Sequence, residues 1–146
     1  MTAANPTDAL RVLLVDDDVD CREFIALALE EAGFRVFHVR TAELGIDALA
    51  RQTFDAVATD KNLPGIDGVQ FIKHIRQKHG DLPVILITGY GTVSATADAF
   101  RTGAQGYLTK PLDPEELANA LRHAVSKRRQ AAAMGAQLAS LRQAPR

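Results

Sequence analysis

The chain has 146 residues, 47% hydrophobic and 24% charged, with a formal net charge of −1, which leaves room for one packed domain and argues against a disordered or fibrous chain. No apolar run approaches the roughly 18 residues of a membrane-crossing helix, and the first nine residues have neither a basic cluster nor an apolar core, so neither a membrane span nor a secretory signal is expected and the cytoplasm is the default compartment. Cys21 is the single cysteine, so no internal disulfide staples the fold and packing must hold it.

The net charge conceals an asymmetry. Glu116 is the last acid, and Arg122, Lys127, Arg128, Arg129, Arg142 and Arg146 follow it, so the final 30 residues carry +6 and the rest of the chain −7. An acidic body with a basic C-terminal segment does not fit a nucleic-acid-binding domain, and direct nucleic-acid binding is not expected.

Residues 1–9 read as a flexible leader. Five β-branched, apolar runs then appear in order: 11–15, 35–39, 56–59, 83–88 and 106–109. Each has the composition of a strand. Helical spacing lies between them, as in Ile25, Ala28, Leu29 and Ala32 before Gly33, or Val69, Ile72 and Ile75 before Gly80. Gly33 and Gly103 stand where a helix end calls for a left-handed residue. Asp113-Pro114-Glu115-Glu116 combines an N-cap, a proline at the first helical position and a glutamate placed to reach back. Five strand–helix units at crossover spacing predict an α/β fold: a doubly wound (βα)5 domain around a five-stranded parallel sheet, with function at the C-terminal strand ends.

The residues predicted at those ends are Asp16-Asp17-Asp18, Asp60 with Asn62, Thr88-Gly89 and Lys110-Pro111. Two carboxylates about 4 Å apart repel by roughly 4 kcal/mol at an effective dielectric near 20, so clustered acids beside one lysine imply a missing cation. An oxygen-only donor set implies Mg²⁺ or Mn²⁺. A metal, a hydroxyl and an ammonium around one carboxylate are what neutralising three phosphoryl oxygens on an acyl phosphate requires, with that carboxylate as nucleophile. Taken singly, each acid reads equally well as a turn or N-cap residue; their convergence carries the argument.

The stretches 12–18, 60–68, 87–91 and 106–111 together resemble the receiver domain of two-component response regulators, over about residues 10–126. The resemblance implies a flavodoxin-like, CheY-like domain. In it Asp60 accepts a phosphoryl group from a histidine kinase or phosphotransfer protein, and Asp17, Asp60 and the Asn62 main-chain carbonyl ligate Mg²⁺. Asp16 would act through a bound water, and Thr88 and Lys110 would each bind a phosphoryl oxygen. It further implies a cis Lys110–Pro111 peptide, a small Gly89 that leaves the acceptor open, and Tyr107 as an aromatic switch coupled to Thr88. Such a domain is a phosphoacceptor, not an enzyme acting on a separate substrate.

Competing readings are weaker. An Asp-nucleophile phosphatase would use Asp16 and Asp18 as its D-x-D pair but needs a substrate-binding insertion, and every loop here is short. A nucleotide-binding module lacks its glycine-rich loop. A docking module that is never phosphorylated would not need the intact acids, threonine and lysine. Lys61 and the four histidines (His38, His74, His79 and His123) read as surface or structural groups. Beyond residue 126 a basic, alanine-rich helical extension or linker runs to 146, with Lys127, Ala131, Met134, Leu138 and Leu141 in steps of four and three. A homodimer whose formation responds to phosphorylation is expected.

Overall fold

The apolar runs at 11–15, 56–60 and 84–88 are continuous because helices cover both of their faces. The computed structural model describes residues 9–89 and 101–142. Its five strands are β1 (Arg11–Val15), β2 (Arg35–Val39), β3 (Ala56–Asp60), β4 (Val84–Thr88) and β5 (Gly106–Thr109). They form one parallel sheet in the order β2-β1-β3-β4-β5. Among the described residues the helices are α1 (Val19–Glu31), α2 (Ala42–Arg51), α3 (Gly68–His79) and α4 (Pro114–Arg142). The predicted parallel α/β sheet is the one that forms.

Side chains alternate between the two faces of the sheet, which splits the core in two. Leu13, Val15, Val57 and Leu86 meet Ala48 and Leu49 of α2 and Phe71, Ile72 and Ile75 of α3. Val12, Leu14, Ala58, Ile85 and Ile87 meet Ile25 and Leu29 of α1 and Leu117 and Leu121 of α4. The helix stripes differ in detail from the expected ones. α1 buries Ala26 beside Ile25 and Leu29, while Ala32 is its exposed C-cap; on α3 Phe71, not Val69, joins Ile72 and Ile75 in the core.

Local signals set the boundaries. Asp18 caps α1 by accepting from the Cys21 N–H at 3.1 Å, and Thr41 does the same for α2 through Leu44. Asp67 and Gln70 make a reciprocal capping box on α3. Gly33 and Gly103 hold φ of 100° and 95°, as their places after helices require. Arg101 and Thr102 are helical, and the rest of the helix expected between β4 and β5 lies outside the described residues, as do residues 1–8 of the leader and 143–146 of the tail.

α4 runs unbroken past Ser126 and through Gly135 to Arg142. Its first half packs on the sheet. Arg128 then pairs with Asp81 at 3.0 Å and Arg129 with Asp55 at 3.7 Å, and beyond them Met134, Leu138 and Leu141 are exposed.

Candidate functional site

The chain leaves β1 for β2 on one side of the sheet while β3 pairs with β1 on the other, and this reversal opens a crevice at their C-terminal ends. Asp16 follows β1 and Asp60 ends β3; Thr88 ends β4 and Lys110 follows β5. The Asp16 N–H donates to the Val39 carbonyl at 3.1 Å, the Lys61 N–H to Ile87 at 2.7 Å and the Lys110 N–H to Thr88 at 2.8 Å, so the sheet's own bonding extends into the crevice. The Lys110–Pro111 peptide is cis.

These positions bring the side chains together. Asp16, Asp17 and Asp60 each offer a carboxylate oxygen, all within 4.8 Å of one another. Lys110 Nζ lies 2.9 Å from Asp60 Oδ2 and 3.7 Å from Asp16 Oδ2. Asp60 also accepts a long bond, 3.4 Å, from the Asn62 N–H. Asp16 and Asp60 are buried and Asp17 is exposed. Burial pushes the Asp60 carboxyl above its ordinary value, and neighbouring Asp16 adds to this, outweighing the pull of Lys110. Burial pulls the Lys110 ammonium down, but the bond and charge of Asp60 prevail and its pKa rises.

The three acids have distinct surroundings. Asp16 accepts from the Asp18 N–H at 3.0 Å and from the Cys21 thiol, while its carbonyl is held by Arg22 Nη1 at 2.9 Å. Asp17 makes no side-chain hydrogen bond among the described residues. Asp18 is committed to capping α1, which removes it from a D-x-D pair. The loop after Asp60 closes onto α3 only because position 68 is glycine: a Cβ there would lie 2.3 Å from the Asp60 carbonyl oxygen. Gly65 in the same loop holds φ at 74°.

Thr88 is buried, and Tyr107 is half-buried against the α2/α3 side of the core. Tyr107 lies opposite Leu86 in register, one strand repeat before the Thr88–Thr109 pair. Burial, aided by Asp16, raises the Cys21 thiol to about 11, which keeps it protonated and inert. The histidines lie outside this cluster: His38 accepts from Arg22, and His74 rests against His79. Arg22, which ties α1 to the end of β1, escapes sequence reasoning because its partner there is a main-chain carbonyl.

Residues 12–122 match the family model of the response regulator receiver domain. The chain belongs to that family. It is a receiver domain of the kind found in two-component response regulators. It is 40% identical over 120 residues to the response regulator protein FleR of Pseudomonas aeruginosa, covering 82% of this chain and 25% of FleR. To the DNA-binding transcriptional regulator NtrC of Escherichia coli it is 36% identical over 115 residues, 79% of this chain and 24% of NtrC. It thus spans about a quarter of the length of these relatives. Among solved structures, the signal receiver domain of an HD domain-containing protein from Pseudomonas fluorescens superposes with a TM-score of 0.77 at 28% identity, over 84% of this chain and 98% of that one. No helix among the described residues is long and apolar enough to cross a membrane.

Proposed function

We propose that this receiver domain takes a phosphoryl group from a histidine kinase or a phosphotransfer protein onto Asp60, in the cytoplasm, and that the added charge changes the domain's protein contacts. The observation that carries the reading is the convergence of Lys110 and two further carboxylates on a buried Asp60 at the open end of the sheet. An Asp60 oxygen attacks the phosphorus; the acyl phosphate bond forms as the phosphorus–nitrogen bond of the donor breaks, and its electron pair stays with the imidazole. Lys110 Nζ holds one phosphoryl oxygen, and the Thr88 hydroxyl takes another.

The acids fit a divalent cation. All are oxygen donors, they stand close enough to share one ion, and one lysine leaves them under-neutralised. Asp17, Asp60 and the Asn62 carbonyl would hold Mg²⁺ or Mn²⁺ directly. Asp16, already engaged by protein donors, would act from the outer sphere. Bound there, the ion supplies charge neutralisation for the transferring group.

Phosphorylation adds about −2 charge at Asp60, which draws Lys110 and Thr88 inward, and Tyr107 takes the space that Thr88 leaves. β5 leads directly into α4, so the change reaches the helix whose exposed Met134, Leu138 and Leu141 stripe fits a second copy. Self-association then depends on phosphorylation. The receiver unit spans 10–126, and residues 127–142 carry the last helix beyond it.

Incubation with acetyl phosphate and Mg²⁺ should add a single increment of about 80 Da in intact-mass analysis. Asp60→Asn should add none. Labelling of that variant at the wild-type rate rejects Asp60 as the acceptor.

A further inference from the structure

β2 is the outermost strand on its side of the sheet, and among the described residues nothing pairs with its free edge. Its backbone phase is set by β1: the Arg35 N–H donates to Leu10 at 2.8 Å and the Val39 carbonyl accepts from Asp16. Alternate residues of a parallel strand turn their main-chain groups to the same side. The N–H and C=O of Val36 and His38 therefore face outward, while the side chains of Arg35 and Phe37 share a face with Arg11 and Leu13, their register partners.

On that face, at the foot of β1 and β2, Arg11, Arg35, Phe37, Gln52 and Phe54 line a cleft of about 360 Å³. Phe37 remains 44% exposed although it leans on Phe54, ring centroids 6.2 Å apart. The Arg11 guanidinium lies 5.6 Å from the Phe54 ring centroid and bonds the neutral Gln52. Arg35 sits directly beside Arg11, and neither side chain has an ion pair among the described residues. Like charges in register on a sheet repel, and the neighbouring Asp55 carboxylate is engaged by the Arg11 main-chain N–H at 2.8 Å and by Arg129, so the cleft holds two guanidinium groups without an ion-pair partner next to an unfinished apolar contact.

We propose that the outer edge of β2 docks an extended acidic segment of a partner protein, which adds a strand to the sheet, sets a carboxylate between Arg11 and Arg35 and lays an apolar side chain on Phe37. Charge complementarity selects this occupant. A second copy pairing edge to edge would offer Arg35-Val-Phe-His-Val-Arg40, which contains no acid and adds cations to cations. The cleft lies at the end of the sheet opposite Asp60, and the proposal does not rest on phosphorylation.

The probe is an acetylated and amidated peptide, Glu-Thr-Val-Thr-Val, with a control in which lysine replaces the glutamate. Titrated into ¹⁵N-labelled protein, it should shift the amides of residues 35–39 and 11. Arg35→Glu should weaken it about tenfold, as expected for loss of a charge-assisted pair; Arg35→Gln gives the same readout if charge reversal disturbs folding. His38→Pro removes an outward donor without touching the β1 ladder and should abolish binding, whereas His38→Ala should not. Equal binding of the lysine peptide, shifts centred elsewhere, or unchanged affinity in the Arg35 variants overturns the proposal. A concentration-dependent dimer that disappears in Phe37→Ser assigns the edge to a second copy and overturns it equally.

Discussion

At the C-terminal end of the sheet, three carboxylates share 4.8 Å of space with Lys110 as the cation in contact. At the N-terminal end the long cation Arg76 is met on every side. Its Nε and Nη2 donate to the Gly103 carbonyl at 3.0 and 2.8 Å, Nη1 to Gly80 at 2.6 Å and Leu82 at 2.8 Å, and Nη2 to Gln105 Oε1 at 2.8 Å. Gln105 Oε1 in turn accepts from the Val84 N–H, so one guanidinium binds the end of α3 to the starts of β4 and β5. Both ends place charge against the same apolar core. The difference is completeness: a charged group whose partners are all internal is architecture, and a cluster left with excess charge needs something from outside the chain.

That contrast predicts opposite consequences of substitution. Arg76→Met removes the guanidinium donor from three carbonyls and leaves Gln105 Oε1 only the Val84 N–H, and should lower stability by about 2–4 kcal/mol in urea unfolding. Mg²⁺ affinity should stay at the wild-type level. Unchanged stability, or a loss of Mg²⁺ binding alongside it, would erase the division between the two ends.

How far each end was legible in the sequence follows from the same difference. The site residues sit at the end of β-branched runs or directly after them, so strand periodicity delivers Asp16, Asp60, Thr88 and Lys110 to one edge. The Arg76 cluster is silent because all but one of its acceptors are main-chain carbonyls, up to 27 positions away, and any residue supplies a carbonyl. Within Asp16-Asp17-Asp18 nothing in the sequence says which acid caps α1, since all three can do so; the path of the chain into Val19 decides for Asp18. The α1 stripe differs from the expected one at its alanines, with Ala26 buried rather than Ala28 and Ala32, because alanine brings equal propensity to either face. The Asp67–Gln70 box has a spacing legible in the sequence, like the Asp-Pro start of α4.

The acid end can be divided further. Asp17 is exposed and has no protein donor among the described residues, whereas Asp16 is held by Asp18 and Cys21. Isothermal titration with Mg²⁺ should show a loss of about 100-fold or more for Asp17→Ala and about tenfold for Asp16→Ala. Equal losses, or the reverse order, would mean that both acids ligate directly or that their assignments are exchanged.

The smallest expected effect is also the one that bears most directly on excess charge. Burial and the Asp16 charge raise the Asp60 carboxyl above its unfolded value despite Lys110, so at neutral pH its ionised form is a net cost to the metal-free fold. Asp60→Asn keeps an oxygen to accept from the Asn62 N–H and leaves Lys110 beside Asp16, while removing one of three crowded charges. Its melting temperature without divalent ions should therefore lie above that of the wild type. Saturating Mg²⁺ should reverse the order: ligand binding to the native state adds about 2.7 kcal/mol at 100 times Kd, and the variant has lost a ligand. Scanning calorimetry of both proteins, with chelator and with Mg²⁺, should show the two melting temperatures cross. A variant less stable than the wild type in chelator would mean that the Lys110 pair already balances Asp60, and the acid end would then belong with Arg76 as architecture.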